Sequence, residues 1–270
     1  MRGIFTAGVL DYFLEENIWF ENLIGVSAGA CHATSYLSEQ YKRALNISID
    51  YLNDKRYCSF SSVLKTGDLF GVDFVYDEIP NKLNPYDYNA FLKSKTTFYA
   101  TVANCVTGKA EYMKVQDMRT DMHYVRASSS LPGVSRFVCI NDIPYLDGGI
   151  VDSIPIRESI RRGNKKHIVV LTQHYGYRKG PMTMGSYLKR KYRDYPAFVE
   201  QMINRHLHYN KTLDFIAEQE IAGNIFVIRP PEALNVRRIE KSKEKLLDVY
   251  RLGYEAAKKS KDALQEYLTR

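Results

Sequence analysis

Leu23-Ile24-Gly25-Val26-Ser27-Ala28-Gly29 joins a short apolar strand, Phe20 to Val26, to a helical run, Ala28 to Tyr41, through a G-x-S-x-G pentapeptide. A serine in that pattern stands on a sharp strand-to-helix turn with its hydroxyl exposed above the sheet edge. The backbone there is strained, and Gly25 and Gly29 are expected to remove side chains that would clash with it. Ser27 also falls at a helix N-terminus, whose free N–H groups and dipole favour developing negative charge. Alone, the pentapeptide is equally an ordinary glycine-bearing turn. The strand–turn–helix context is what marks Ser27 as a candidate nucleophile.

Working outward, helix and strand signals alternate. Phe5 to Glu16 carries Phe5, Val9, Leu10, Phe13 and Leu14 on one helical face. Tyr51 to Phe70 is irregular and aromatic, a predicted surface loop or lid, and Pro85 suits the first turn of a short helix through Leu92. Thr96 to Val106 and Ala110 to Val115 form a predicted hairpin around Thr107-Gly108-Lys109, and Phe137 to Ile140 with Ile143 to Leu146 another around Asn141-Asp142. A helix ends near Ser130 between them. Pro155 to Arg162 is helical, and His167 to Leu171 is a β-branched run suited to a buried parallel strand. The alternation predicts an α/β sandwich with a largely parallel central sheet. The division predicted is a catalytic core over 1–175 and a mainly helical, basic region over 176–270 packed on it, which adds one strand at about 225–228. In that region Ile239, Leu246, Val249, Tyr250, Gly253, Ala257, Leu264 and Leu268 keep one helical stripe over about eight turns at ~3.6 residues per turn.

Composition narrows the function classes. Of the 38 Lys and Arg and 31 Asp and Glu in 270 residues, Met1 to Val170 holds 19 of each sign, so the net charge of +7 lies wholly in Leu171 to Arg270. Hydrophobic content of 45% with 13% aromatics excludes a disordered chain, and the length suits one large domain with a sizeable core. The longest uncharged run, Asn22 to Ser38, is interrupted by polar and turn residues, so no membrane span is predicted. Asp11, Glu15 and Glu16 break up any secretory h-region, and the expected location is cytoplasmic. Cys31, Cys58, Cys105 and Cys139 make no CxxC pair, and no Asp/Glu spacing suits calcium, so neither metal nor cofactor is expected.

An activated serine needs a base. Of the six histidines, His32 follows the elbow by five residues and should point along its helix, His167 opens a strand, and His206 and His208 lie on an amphipathic helix. His123 offers no better placement, and His174, just after a strand, is where a Ser-His-Asp enzyme would carry its base. A carboxylate is better placed. Tyr145-Leu146-Asp147-Gly148-Gly149 sets Asp147 at the end of an apolar strand, and two glycines behind it let the backbone pack against Ser27. Partial desolvation would make Asp147 basic enough to accept the serine proton, although Asp-Gly is also a common hairpin turn.

Together, Gly25-Val26-Ser27-Ala28-Gly29 and Asp147-Gly148-Gly149 resemble the patatin-like phospholipases, which use a Ser–Asp dyad. Ala127-Ser128-Ser129-Ser130-Leu131-Pro132 is similar to the family's A-S-x-x-x-P stretch beside the active site, and Asp152 and Pro155 continue its D-G-G tail. The likeness covers about Met1 to Leu171 and implies a three-layer α/β sandwich with Ser27 as nucleophile and Asp147 as proton acceptor. The implied substrate is a lipid acyl ester, a phospholipid or lysophospholipid, opened through an acyl-enzyme. The family's first motif, a G-G-G-x-K/R-G oxyanion loop, is matched only by Met1-Arg2-Gly3. The expectation is a chain that begins one strand late, with Arg2 and Gly3 bordering the hole. The alternatives are a catalytically impaired lipid- or partner-binding relative and a general carboxylesterase.

Aromatic and apolar residues between Tyr51 and Val75, among them Tyr57, Phe60, Leu69, Phe70 and Phe74, would line an acyl pocket under a lid or form a satellite cluster. Lys189-Arg190-Lys191-Tyr192-Arg193 is a basic stretch able to dock on an anionic bilayer or serve as a plain solvated surface, and no nucleic-acid-binding module is present.

Overall fold

The strand predicted over Phe20 to Val26 forms over Asn22–Val26, and the elements fall around it in the order the hydrophobic pattern suggests. The computed structural model describes residues 1–183 and 185–270. Helix α1 (Ile4–Glu15) leads to β1 (Asn22–Val26), α2 (Ala28–Leu37) and α3 (Arg43–Asp50). The predicted loop holds α4 (Phe60–Thr66), and a π-helix over Phe74–Leu83 precedes α5 (Tyr88–Lys93). Then come β2 (Thr97–Asn104), β3 (Ala110–Val115), α6 (Met118–Ser129), β4 (Val138–Ile140) and β5 (Ile143–Asp147). The chain continues through α7 (Ile156–Arg161), β6 (Ile168–Val170), α8 (Gly185–Lys191), α9 (Pro196–Ile221) and β7 (Phe226–Ile228) to α10 (Lys243–Lys259) and α11 (Lys261–Thr269). Among the described residues, no helix is long and apolar enough to cross a membrane.

The α/β architecture and the helical C-terminal extension are as expected; the sheet is mixed instead of largely parallel. β1 runs parallel to β2, and β6 parallel to β7 in a separate pair. β3 and β5 both run antiparallel to β2, and β4 antiparallel to β5. For two of these pairs the reason is local. Thr107-Gly108 and Asn141-Asp142 are short reversals, so the β2–β3 and β4–β5 pairs they join can only be antiparallel; the antiparallel β2–β5 pair is made across a longer connection.

The register positions the site. β2 pairs with β1 from Thr97 to Thr101, then with β5 from Val102 to Asn104, while β3 occupies its other edge. β1 and β5 therefore lie end to end along one edge of β2 and point at each other. Val26 is opposite Thr101 and Asp147 is opposite Val102, so the chain leaves both strands at one spot.

Helices cover both faces. Phe98 and Ala100 of β2 pack into the main core with α1, α2 and α10, and Val102 packs against Ala127 of α6. On the opposite face Ala103 and Leu146 meet Leu188 of α8 with Phe198 and Met202 of α9. Alternation along β2 thus yields the three layers. α10 is part of the main core: a Cβ on Gly253 would lie 1.9 Å from the Phe5 carbonyl oxygen, and one on Gly8 2.1 Å from that of Tyr250. Two bare backbones face each other there, so α1 and α10 approach more closely than side chains would permit. The predicted C-terminal stripe is not one helix. Ser260 caps the end of α10 through its N–H and starts α11.

Candidate active site

Ser27 sits between β1 and α2 at φ 54°, ψ −123°, a backbone region that non-glycine residues rarely occupy. Such a conformation costs on the order of 1–3 kcal/mol and persists only where its surroundings impose it. Here they do. The Ser27 N–H donates to Ser128 Oγ at 2.9 Å, and its carbonyl accepts from the Cys31 N–H at 3.1 Å. Gly25 is required, because a Cβ would fall 2.5 Å from Ala30 Cα. Gly29 corrects the sequence expectation: a Cβ there would meet nothing within 4 Å, since the helix already points that position into open space.

Asp147 ends β5 and is 3% exposed. Its Oδ2 accepts from Ser27 Oγ at 2.6 Å, and Oδ1 accepts from the Gly149 N–H at 2.7 Å. Burial pushes its carboxyl above the usual range, opposed by the Ser27 and Gly149 hydrogen bonds and the charges of Arg205 and Arg238. The glycines serve this placement. A Cβ on Gly148 would lie 2.2 Å from the Thr101 carbonyl oxygen, and one on Gly149 3.0 Å from Asp147 Oδ1. The Asp147 N–H donates to Ser130 O at 2.8 Å, so the last turn of α6 and its exit hold both Ser27 and Asp147 in place.

Ser27 opens into a cavity of about 960 Å³. Tyr57, Leu69, Phe70 and Val75 contribute to its wall, as expected of the aromatic segment, and Tyr57, Leu69 and Phe74 also form a small cluster of their own. The side chain of Phe60 lies outside the described residues. Pro132 and Gly133 border the same space, as do Arg2 and Gly3. Gly3 stands against the elbow, where a Cβ would lie 2.6 Å from that of Ala28. The Ala28 N–H belongs to the first turn of α2 and has no intrahelical acceptor, which leaves it free for a developing oxyanion.

Among the described residues, no histidine is hydrogen-bonded to Ser27. His32 lines the cavity, and burial lowers its ring to about 4, so it is neutral. His174 lies off the cavity wall with Nδ1 2.7 Å from the Tyr175 carbonyl oxygen, and His206 is on the wall with Nδ1 3.0 Å from Ile203 O. The sequence reading missed the contribution of the basic region. Lys179, Arg205 and Arg238 all border the cavity that holds Ser27. One signal was present: Phe198, Met202, Arg205 and Tyr209 follow at helical spacing, so Arg205 occupies the inward stripe of α9.

Comparison with known proteins gives a consistent picture. A family described as patatin-like phospholipase matches residues 1–160, and a domain of unknown function, DUF6363, matches residues 195–269. The uncharacterized protein YjjU of Escherichia coli is 28% identical over 93% of this chain and 72% of its own length. Two proteins named lysophospholipase NTE1, from Candida albicans and Lodderomyces elongisporus, are 24% and 23% identical over 85% of this chain. The match spans only 17% and 16% of those two relatives.

Proposed function

This chain belongs to the patatin-like phospholipase family, and on that premise we propose that it is a serine acyl hydrolase of lipid esters using a Ser27–Asp147 dyad. The observation that carries the reading is the 2.6 Å hydrogen bond from Ser27 Oγ to Asp147 Oδ2, made at a strained elbow that opens on an apolar cavity.

The ester carbonyl enters from the cavity and is attacked by Ser27 Oγ as its proton passes to Asp147. Burial raises the basicity of that carboxylate, which suits it to the transfer. The oxyanion forms at the N-terminus of α2 beside Gly3, where the Ala28 N–H and the helix dipole stabilise it. Asp147 then returns the proton to the departing alcohol oxygen, which leaves an acyl group on Ser27. A water, deprotonated by the same carboxylate, releases the fatty acid. The apolar wall receives the acyl chain, and membership of the family makes the proposed substrate a phospholipid or lysophospholipid. The names of the two fungal relatives favour the single-chain form.

A fluorophosphonate probe tests this reading, since it reacts covalently with an activated serine. Labelling of the full chain at Ser27, abolished in Ser27→Ala, is the expected result. An unlabelled Ser27 in folded protein would refute it.

A further inference from the structure

The cavity wall has an uneven charge. Arg2, Arg43, Lys179, Arg205 and Arg238 border it, and among the described residues no Asp or Glu side chain does. Arg43 is accounted for structurally: its Nη2 donates to the Asn84 carbonyl at 2.9 Å and its guanidinium lies over the Tyr86 ring. Among the described residues, none of the five makes an ion pair with a carboxylate, and what sets Arg2, Lys179, Arg205 and Arg238 apart from Arg43 is that they gather around one another.

These cations come from separate parts of the chain and converge. Arg205 projects from the inward stripe of α9 with Nη2 3.3 Å from Ser153 Oγ, while its Nε is buried without a partner. Lys179 is held by its backbone, its N–H donating to Asn210 Oδ1 at 2.8 Å and its carbonyl accepting from Asn210 Nδ2 at 3.0 Å. Its Nζ lies over the Tyr209 ring at 5.0 Å. Arg2 and Arg238 are exposed at the rim. The four are close enough to repel: burial first, then Arg205, Arg2 and Arg238, lowers the Lys179 ammonium to about 8. Like charges gathered around an apolar space, offset in part by the Asp147 carboxylate behind Ser27, destabilise the empty protein, and an anion placed among them relieves that cost.

We propose that Arg2, Lys179, Arg205 and Arg238 form a headgroup subsite for the phosphate of an anionic phospholipid whose acyl chain lies in the apolar part of the cavity. The proposal rests on the lipid-ester reading above and adds its selectivity. The DUF6363-matching segment supplies Arg205 and Arg238, so the C-terminal region reads the headgroup while the first region carries the dyad. Two oxygens of a phosphate fit a guanidinium bidentately, and charge-assisted bonds of this kind are about twice as strong as neutral ones.

Binding to the full-length Ser27→Ala protein, which cannot turn lipid over, separates this proposal from the hydrolase reading. Calorimetry compares lysophosphatidylglycerol, lysophosphatidylcholine and monoacylglycerol with one acyl chain in common, and inorganic phosphate alone. Lysophosphatidylglycerol is expected to bind at least about tenfold more tightly than the other two lipids. Lys179→Gln with Arg238→Gln should erase that difference, and Lys179→Arg with Arg238→Lys should restore it. If the double variant fails to fold, each single variant is expected to lose part of the preference. Equal Kd values for the three lipids, or a preference untouched by the variants, would overturn the subsite. Inorganic phosphate binding as tightly as the anionic lipid would assign the cluster to free phosphate and overturn the headgroup assignment. Wild-type turnover is read separately: headgroup selectivity without ester cleavage would refute the hydrolase and leave the subsite standing.

Discussion

In Met1 to Val170, charges balance, and the proposed reactive groups lie at strand ends fixed by short motifs: Ser27 one residue past β1 and Asp147 on the last residue of β5. In Leu171 to Arg270, which carries the whole +7, no described residue touches Ser27 through a hydrogen bond, yet Lys179, Arg205 and Arg238 stand around the same cavity. The first region creates geometry through backbone constraint: a left-handed serine, glycines with no room for a Cβ, and paired strands meeting head-on. The second contributes long side chains from helices and loops. On the proposed reading, reactivity, which demands placement within tenths of an ångström, falls to the sheet, whereas recognition of a charge tolerates more slack and falls to the periphery.

The largest expected effect tests whether the second region is an appendage. Gly253→Val would drive a side chain into the Phe5 backbone, where even a Cβ has only 1.9 Å. Destabilisation of about 3 kcal/mol or more is expected by denaturant unfolding, in a single transition for the whole chain. A loss below 1 kcal/mol would separate the two regions.

Asp11 ties them together electrostatically. On α1, it accepts from Tyr250 of α10 at 2.8 Å, and burial raises its carboxyl from the ordinary 3.8 to about 6. A raised carboxyl favours the native state where it is protonated, so its contribution is full below about pH 4 and is lost as pH rises through about 6. On the order of 3 kcal/mol should disappear between pH 4 and pH 7. Asp11→Asn removes this dependence, so the unfolding free energy of the variant should gain on wild type over that interval. A constant difference would contradict the assigned burial.

Within the first region, the two elbow glycines should separate. Gly25→Ala meets the Ala30 backbone and should cost about 2 kcal/mol of stability, along with fluorophosphonate labelling, because the elbow must open. Gly29→Ala meets open space and should change stability by no more than about 0.5 kcal/mol. Equal effects would remove the steric account of the elbow.

Legibility in the sequence followed the same boundary. Ser27, Asp147, Ser128 and Gly148 were readable because each belongs to a motif a few residues long whose chemistry is local. The two hairpins were also readable, but their consequence for strand direction was outweighed by the helix–strand alternation, which suggested a parallel sheet. Gly29 was misjudged because a pentapeptide shows which residues are small without showing which way they point. Arg205, Lys179 and Arg238 were invisible as a group, since 59 positions separate Lys179 from Arg238 and only the packing of α9 and the rim loops brings them to one wall. The closeness of α1 and α10 was hidden likewise, with Gly8 and Gly253 at opposite ends of the chain.

The central claim is that a carboxylate, not an imidazole, activates Ser27. Its most direct test is the kcat/KM of Asp147→Asn beside that of His174→Ala on one monoacyl lipid ester, followed across pH. The dyad predicts a loss of about 10³-fold for Asp147→Asn, wild-type rates for His174→Ala, and an acid limb lying above the ordinary carboxylate value of 3.8. Full activity in folded Asp147→Asn, or its collapse in His174→Ala, would contradict it.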